Sequence, residues 1–131
     1  MAQPAARMND PVTGTDIHIV MIPSPGGPVP TPLPHPYVGR VSAATSPDVM
    51  INSQPAALQD STTMLTAPHI PQGGPFQRPP TGRGSILVGS PTVKVNGRSL
   101  ARLGDQVRTC NDPVDQPTCT ITAGSPNVMV A

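Results

Sequence analysis

Four side chains in this sequence have the chemistry to close around one metal ion: His18, His35, His69 and Cys110. Three of them recur at comparable places. His18 follows Asp10 by eight residues, His69 follows Asp60 by nine, and Cys110 follows Asp105 by five. His35, in "PLPHPY", is the remaining histidine and could supply a fourth ligand. Imidazole and thiolate in a set of four match tetrahedral Zn²⁺, which binds nitrogen at about 2.0–2.1 Å and sulfur at about 2.3 Å. With all four places filled, none remains for water, so the centre would be structural. Cys110 and Cys119 offer a rival, a disulfide closing the loop "CNDPVDQPTC". The lack of an export signal and the reducing cytosol argue against it. Cys119 is then a buried or spare thiol at the start of a strand.

The spacings matter only if the segments carrying them are equivalent, and the sequence does repeat. "SPDVMIN" (46–52), "SPTVKVN" (90–96) and "SPNVMV" (125–130) share one frame. An alanine-containing phrase ending in Asp also occurs three times, as "QPAARMND" (3–10), "QPAALQD" (54–60) and "RSLARLGD" (98–105). The chain begins halfway through one unit and finishes halfway through another. Joining the two halves completes a third unit, which requires the first and last strands to lie side by side. Three units around an axis leave no free sheet edge, and they bring the candidate ligands together on that axis.

The elements doing this are expected to be strands. Helix is improbable, because 20 prolines recur too often for an uninterrupted helix. Short Val-, Ile- and Thr-rich runs bounded by turn residues read as strands at 17–22, 48–52, 85–89, 92–97, 119–124 and 127–131. Asn96-Gly97 is a hairpin turn signal, since both residues tolerate positive φ. The Pro-rich stretches 23–36 and 71–84 read as loops or polyproline II within one domain spanning 1–131. With one Tyr, one Phe and no Trp, the core is thin, and a metal clamp would compensate.

The totals also exclude classes of function. Net charge is +1, without a basic stripe or a stacking surface, which argues against a nucleic-acid partner. The longest apolar runs fall far short of the roughly 20 residues that span a bilayer. No basic-then-apolar leader opens the sequence, so the protein is expected to be made in the cytosol and carried out, if at all, by another machine.

Pro4-Ala5-Ala6-Arg7 and "GSPTVKVNGRSLARLGDQVRTC" (89–110) resemble the PAAR-repeat proteins, and the likeness runs through nearly the whole chain. The resemblance implies a mainly β cone of three short repeats with pseudo-three-fold symmetry, zinc-clamped at its apex. Position by position, it implies His18, His35, His69 and Cys110 as the zinc ligands. It further implies a non-enzymatic role. Such proteins cap the trimeric β-helical spike of type VI secretion systems or phage-tail-like contractile injection particles, aid membrane penetration, and in some cases carry effectors. The sequence departs from the pattern in reading "PAAL" in the second phrase and "SLAR" in the third.

Two other readings are open to the residues themselves. A small zinc hydrolase would need an open metal site and a general base, usually Glu. The chain has no Glu, and Asp16 is the only nearby carboxylate by sequence. A Pro-rich adaptor would offer "PVPTPLPHP" to aromatic grooves.

Overall fold

A computed structural model describes residues 2–131, and these form strands and turns with no helix among them. Asn96 and Gly97 have φ of 52° and 79°, and they join β8 (Lys94–Val95) to β9 (Arg98–Ser99) as a two-residue hairpin. The same turn recurs between β4 (Met50–Ile51) and β5 (Gln54–Pro55), through Asn52 and Ser53 at φ of 53° and 66°. The third ribbon has no turn because it is made from the chain ends. β1 (Gln3–Pro4) pairs antiparallel with β12 (Met129–Val130), Gln3 opposite Val130. The expected junction of first and last strands is therefore present.

Each ribbon opens on a buried serine, Ser46, Ser90 or Ser125. Its hydroxyl oxygen accepts the amide three residues on, at 2.9, 3.0 and 2.9 Å. Next comes the alanine phrase, and here the three units are stitched in a circle. The Ala6 amide donates to the Ala101 carbonyl (2.9 Å), Ala101 to Ala57 (2.9 Å), and Ala57 back to Ala6 (3.0 Å). All three alanines have 0% exposure. A second circle lies beside it, from Met8 to Pro55, Gln59 to Ser99, and Leu103 to Pro4, each at 2.8 Å.

The second unit is aligned one residue away from where the phrases suggest. Asp60 has φ 72°, like Asn9 at 73° and Gly104 at 90°, so it occupies the left-handed turn position. Ser61 stands where Asp10 and Asp105 stand. Its hydroxyl accepts the Leu58 amide at 2.9 Å, as the two carboxylates accept the Arg7 and Arg102 amides at 2.7 and 2.8 Å. In the corrected register His18 and His69 each follow the turn-closing residue by eight positions.

Beyond the circles, each unit contributes one hairpin to a closed six-stranded barrel. The hairpins are β2 (Pro11–Ile22) with β3 (Val29–Ala43), β6 (Thr62–Leu65) with β7 (Arg83–Ile86), and β10 (Gln106–Thr109) with β11 (Gln116–Ile121). Val12, Tyr37, Val41, Ile86, Val107, Cys119 and Ile121 fill the barrel above the alanines. Ile51, Leu58, Leu100 and Val130 form a separate cluster among the ribbons.

Residues 29–36, expected as loop or polyproline II, are strand. Pro30, Pro32, Pro34 and Pro36 alternate along β3, opposite Met21, Ile19, Ile17 and Thr15 of β2. Alternation places all four missing donors on the same side. A strand with one unneeded edge tolerates this, and a central strand would not. Of the second expected loop, residues 83 and 84 belong to β7.

Ser53 has a β-carbon in a left-handed conformation that its counterpart Gly97 adopts freely. Ser53→Gly is expected to raise stability by about 0.5–1 kcal/mol, the relief of strain exceeding the added unfolded-state entropy. A denaturant midpoint that fails to rise would contradict this.

Candidate metal centre

The first hairpin outgrows the barrel. β11 reaches β2 only at Val12–Gly14, and β6 reaches β3 only at Gly39–Ala43, so 15–22 and 29–38 rise past the rim. Two loops fold against this extension. Residues 66–82 are held by the Met21 amide on the Pro75 carbonyl and the Gln77 amide on the Ile19 carbonyl, both 2.8 Å. Residues 110–115 are held by the Asp112 amide on the Ile17 carbonyl at 2.8 Å.

Strand alternation then does the placing. On β2 the inward positions read Val12, Gly14, Asp16, His18 and Val20, and Asp16 and His18 are 0% and 1% exposed. His35 points inward from β3, 3% exposed. His69 arrives on the longer loop, and Cys110 directly follows β10. One donor atom from each of Asp16, His18, His69 and Cys110 lies within 4.8 Å of the others. Cys110 Sγ is 3.7 Å from His18 Nε2. A zinc-bound sulfur and nitrogen at the tetrahedral angle would be about 3.6 Å apart.

His35 stands beside this set of four and is not one of them. Its ring centroid is 5.6 Å from those of both His18 and His69. Its Nδ1 donates to the Leu33 carbonyl at 3.0 Å, which leaves Nε2 buried without a hydrogen-bond partner. His18 is oriented in the same manner. Its Nδ1 has no hydrogen bond but faces Asp112 Oδ2 at 3.5 Å, with Nε2 toward Cys110. Such a carboxylate behind an imidazole fixes the ring's tautomer and turns its lone pair inward. Asp112 is itself held by the Ile19 amide at 2.9 Å and by Arg78 at 2.7 Å.

The two aromatic residues wall the cluster. Phe76 lies 5.3 Å from the His35 ring and 5.8 Å from His18, and Tyr37 lies 6.3 Å from His69. A cleft of about 160 Å³, lined by His18, Arg78, Thr81, Cys110, Asn111 and Asp112 among others, gives access from one side.

Burial disfavours charge on Cys110 and His35. Burial pushes the Cys110 thiol up from 9.0 to about 12, and Asp16 adds to the rise. Burial likewise holds His35 below 6.5. Burial also pushes Asp16 upward, but hydrogen bonds from its neighbours outweigh that and keep it below 3.8. Imidazoles, a thiol and a carboxylate form a donor set suited to Zn²⁺. Both cysteines are unbridged, and Cys119 is 1% exposed in the barrel core.

Residues 77–131 match the family described as PAAR motif. Over that segment the chain is similar to this family. No curated protein matches it. The matched PAAR segment runs from just before β7 to the end of the chain and includes Cys110 and the last ribbon strand. The alanine at the third place of "PAAR", "PAAL" and "SLAR" (Ala6, Ala57 and Ala101) makes the first circle of hydrogen bonds, which gives the phrase a physical reason to recur.

Sequence reasoning placed His18, His69 and Cys110 together through the repeat, but it missed Asp112 and Arg78 and gave Asp16 no ligand role. Asp16 was nevertheless visible in principle, since i and i+2 of one strand share a face with His18.

The metal-free protein is expected to be most stable between about pH 6.5 and 9. His35 has a lower pKa folded than unfolded, so the stability it leaves intact above 6.5 is lost as pH falls through that value. Cys110 has a higher one, so stability present below 9.0 is lost as pH rises toward 12. Denaturant midpoints measured against pH in chelator should fall on both sides, and a midpoint that climbs below pH 6 would contradict the assignment.

Proposed function

We propose that this chain is a structural tip that caps the trimeric β-helical spike of a contractile injection system, with zinc clamping its point. The observation that carries the reading is the circular closure. Three ribbons and two rings of hydrogen bonds give one end of the molecule near-three-fold symmetry. A single chain with that symmetry can seat on a true trimer with three similar contacts. The same end exposes apolar side chains. Val49, Met50 and Met129 are 36, 58 and 56% exposed around the buried cluster of Ile51, Leu100 and Val130.

The opposite end would meet the target membrane first, and its construction suits a leading point. His18, His35, His69 and Cys110 would hold Zn²⁺ there, tying the long hairpin to both loops. Zinc would supply cross-linking free energy, on the order of 10 kcal/mol in small zinc-binding peptides. The chain's own residues do the rest. Asp112 and the Leu33 carbonyl orient two imidazoles, and Phe76 and Tyr37 shield them. Made in the cytoplasm, the chain would join the particle before firing, with its side loops free to hold effector cargo.

Mixing the protein with a trimeric β-helical spike should give a complex of one chain per trimer. Met50→Asp with Met129→Asp should weaken it at least about 10-fold, because each would bury an unpaired charge. The far-UV spectrum should be unchanged. A folded wild-type chain that shows no affinity for such a trimer would overturn the reading.

A further inference from the structure

Asp16 is buried among the candidate metal donors. The residue is 0% exposed, and among the described residues its ion-pair partners are His18 and His69, with no lysine or arginine. Burying a carboxylate is costly; here hydrogen bonds offset that cost, and a cation would offset it further.

The two oxygens of Asp16 face different surroundings. Oδ1 lies in a cradle of neutral donors: the Thr109 hydroxyl, Asn111 Nδ2 and Thr118 Oγ1 at 3.4 Å each, and Cys119 Sγ at 3.8 Å. Oδ2 lies among the metal donors, 2.9 Å from His69 Nε2, 3.4 Å from Cys110 Sγ and 3.9 Å from His18 Nε2. The cradle fixes the carboxylate plane, and Oδ2 is left to the centre. Charge points the same way. One thiolate on a divalent cation leaves a net positive charge at a buried site, and one carboxylate brings the sum to zero.

We propose that Asp16 is a metal ligand through Oδ2, a fifth donor that joins the three imidazoles and the Cys110 thiolate and makes the centre neutral. This rests on the metal reading above.

X-ray absorption at the zinc edge of the wild-type protein should show one sulfur and four nitrogen or oxygen neighbours. One sulfur and three light neighbours would overturn the proposal without touching the zinc assignment, whereas a wild-type chain that takes up no zinc would overturn both. Asp16→Asn provides a second reading. Zinc affinity, measured by chelator competition, should fall at least about 10-fold. The melting temperature should drop further with zinc present than in chelator, where only the hydrogen bonds of the carboxylate are lost. Equal losses in both conditions would mark Asp16 as a hydrogen-bonding residue only.

Discussion

Three amides donating in a circle, Ala6 to Ala101 to Ala57 and back, set the terms for the rest of the molecule. The circle closes only if three backbones approach the same axis, so the residues there must be small. Larger side chains would crowd one another three times over, and overpacking typically costs about 1–3 kcal/mol at a single site. Closure then removes the sheet edges from the barrel above. A chain with two aromatics can fold on these terms because each turn repeats the same satisfied pattern. A buried serine caps the ribbon, a carboxylate or hydroxyl closes the next turn, and the backbone passes its hydrogen bonds to the neighbouring unit.

The repeat made the architecture readable in advance, including the pairing of Gln3 with Val130 across the whole chain. What the letters obscured was the register of the second unit. Matching Asp60 to Asp10 and Asp105 compares residue types, but the turn compares backbone shapes. Asp60 takes the left-handed position, and Ser61 supplies the oxygen. The prolines of β3 misled for a related reason. Composition alone suggests an irregular segment, whereas their spacing of two is the spacing of one strand edge. Asp112 and Arg78 were not legible, because they reach His18 through loop packing that no local pattern encodes. His35 was legible only as the remaining histidine that could supply a fourth ligand, and its buried Nε2 has no hydrogen-bond partner.

The axis is graded as well as closed. Apolar ribbons give way to the alanine circle, then to the aliphatic barrel around Tyr37, and finally to Asp16 and the histidines. One strand, β2, crosses from apolar to polar along a single face, Val12 to Asp16 to His18. The extension past the rim is protected on both sides. Residues 75–77 and 112 cover one edge of the hairpin, and the prolines leave the other edge without donors to offer.

The unequal lengths of the three hairpins show why the units belong to one chain. Near the ribbons the three are nearly interchangeable, but strands of 12 and 15 residues stand beside pairs of four and four, and four and six. A trimer of identical units would present any ligand three times. It could offer three histidines or three cysteines, but never one thiolate among imidazoles. Fusing the repeats keeps the symmetry among the ribbons and lets the other end gather unlike side chains. The first unit supplies Asp16, His18 and His35, the second His69, and the third Cys110. A mixed set of donors at one end is therefore something that three linked repeats can offer and three identical copies cannot.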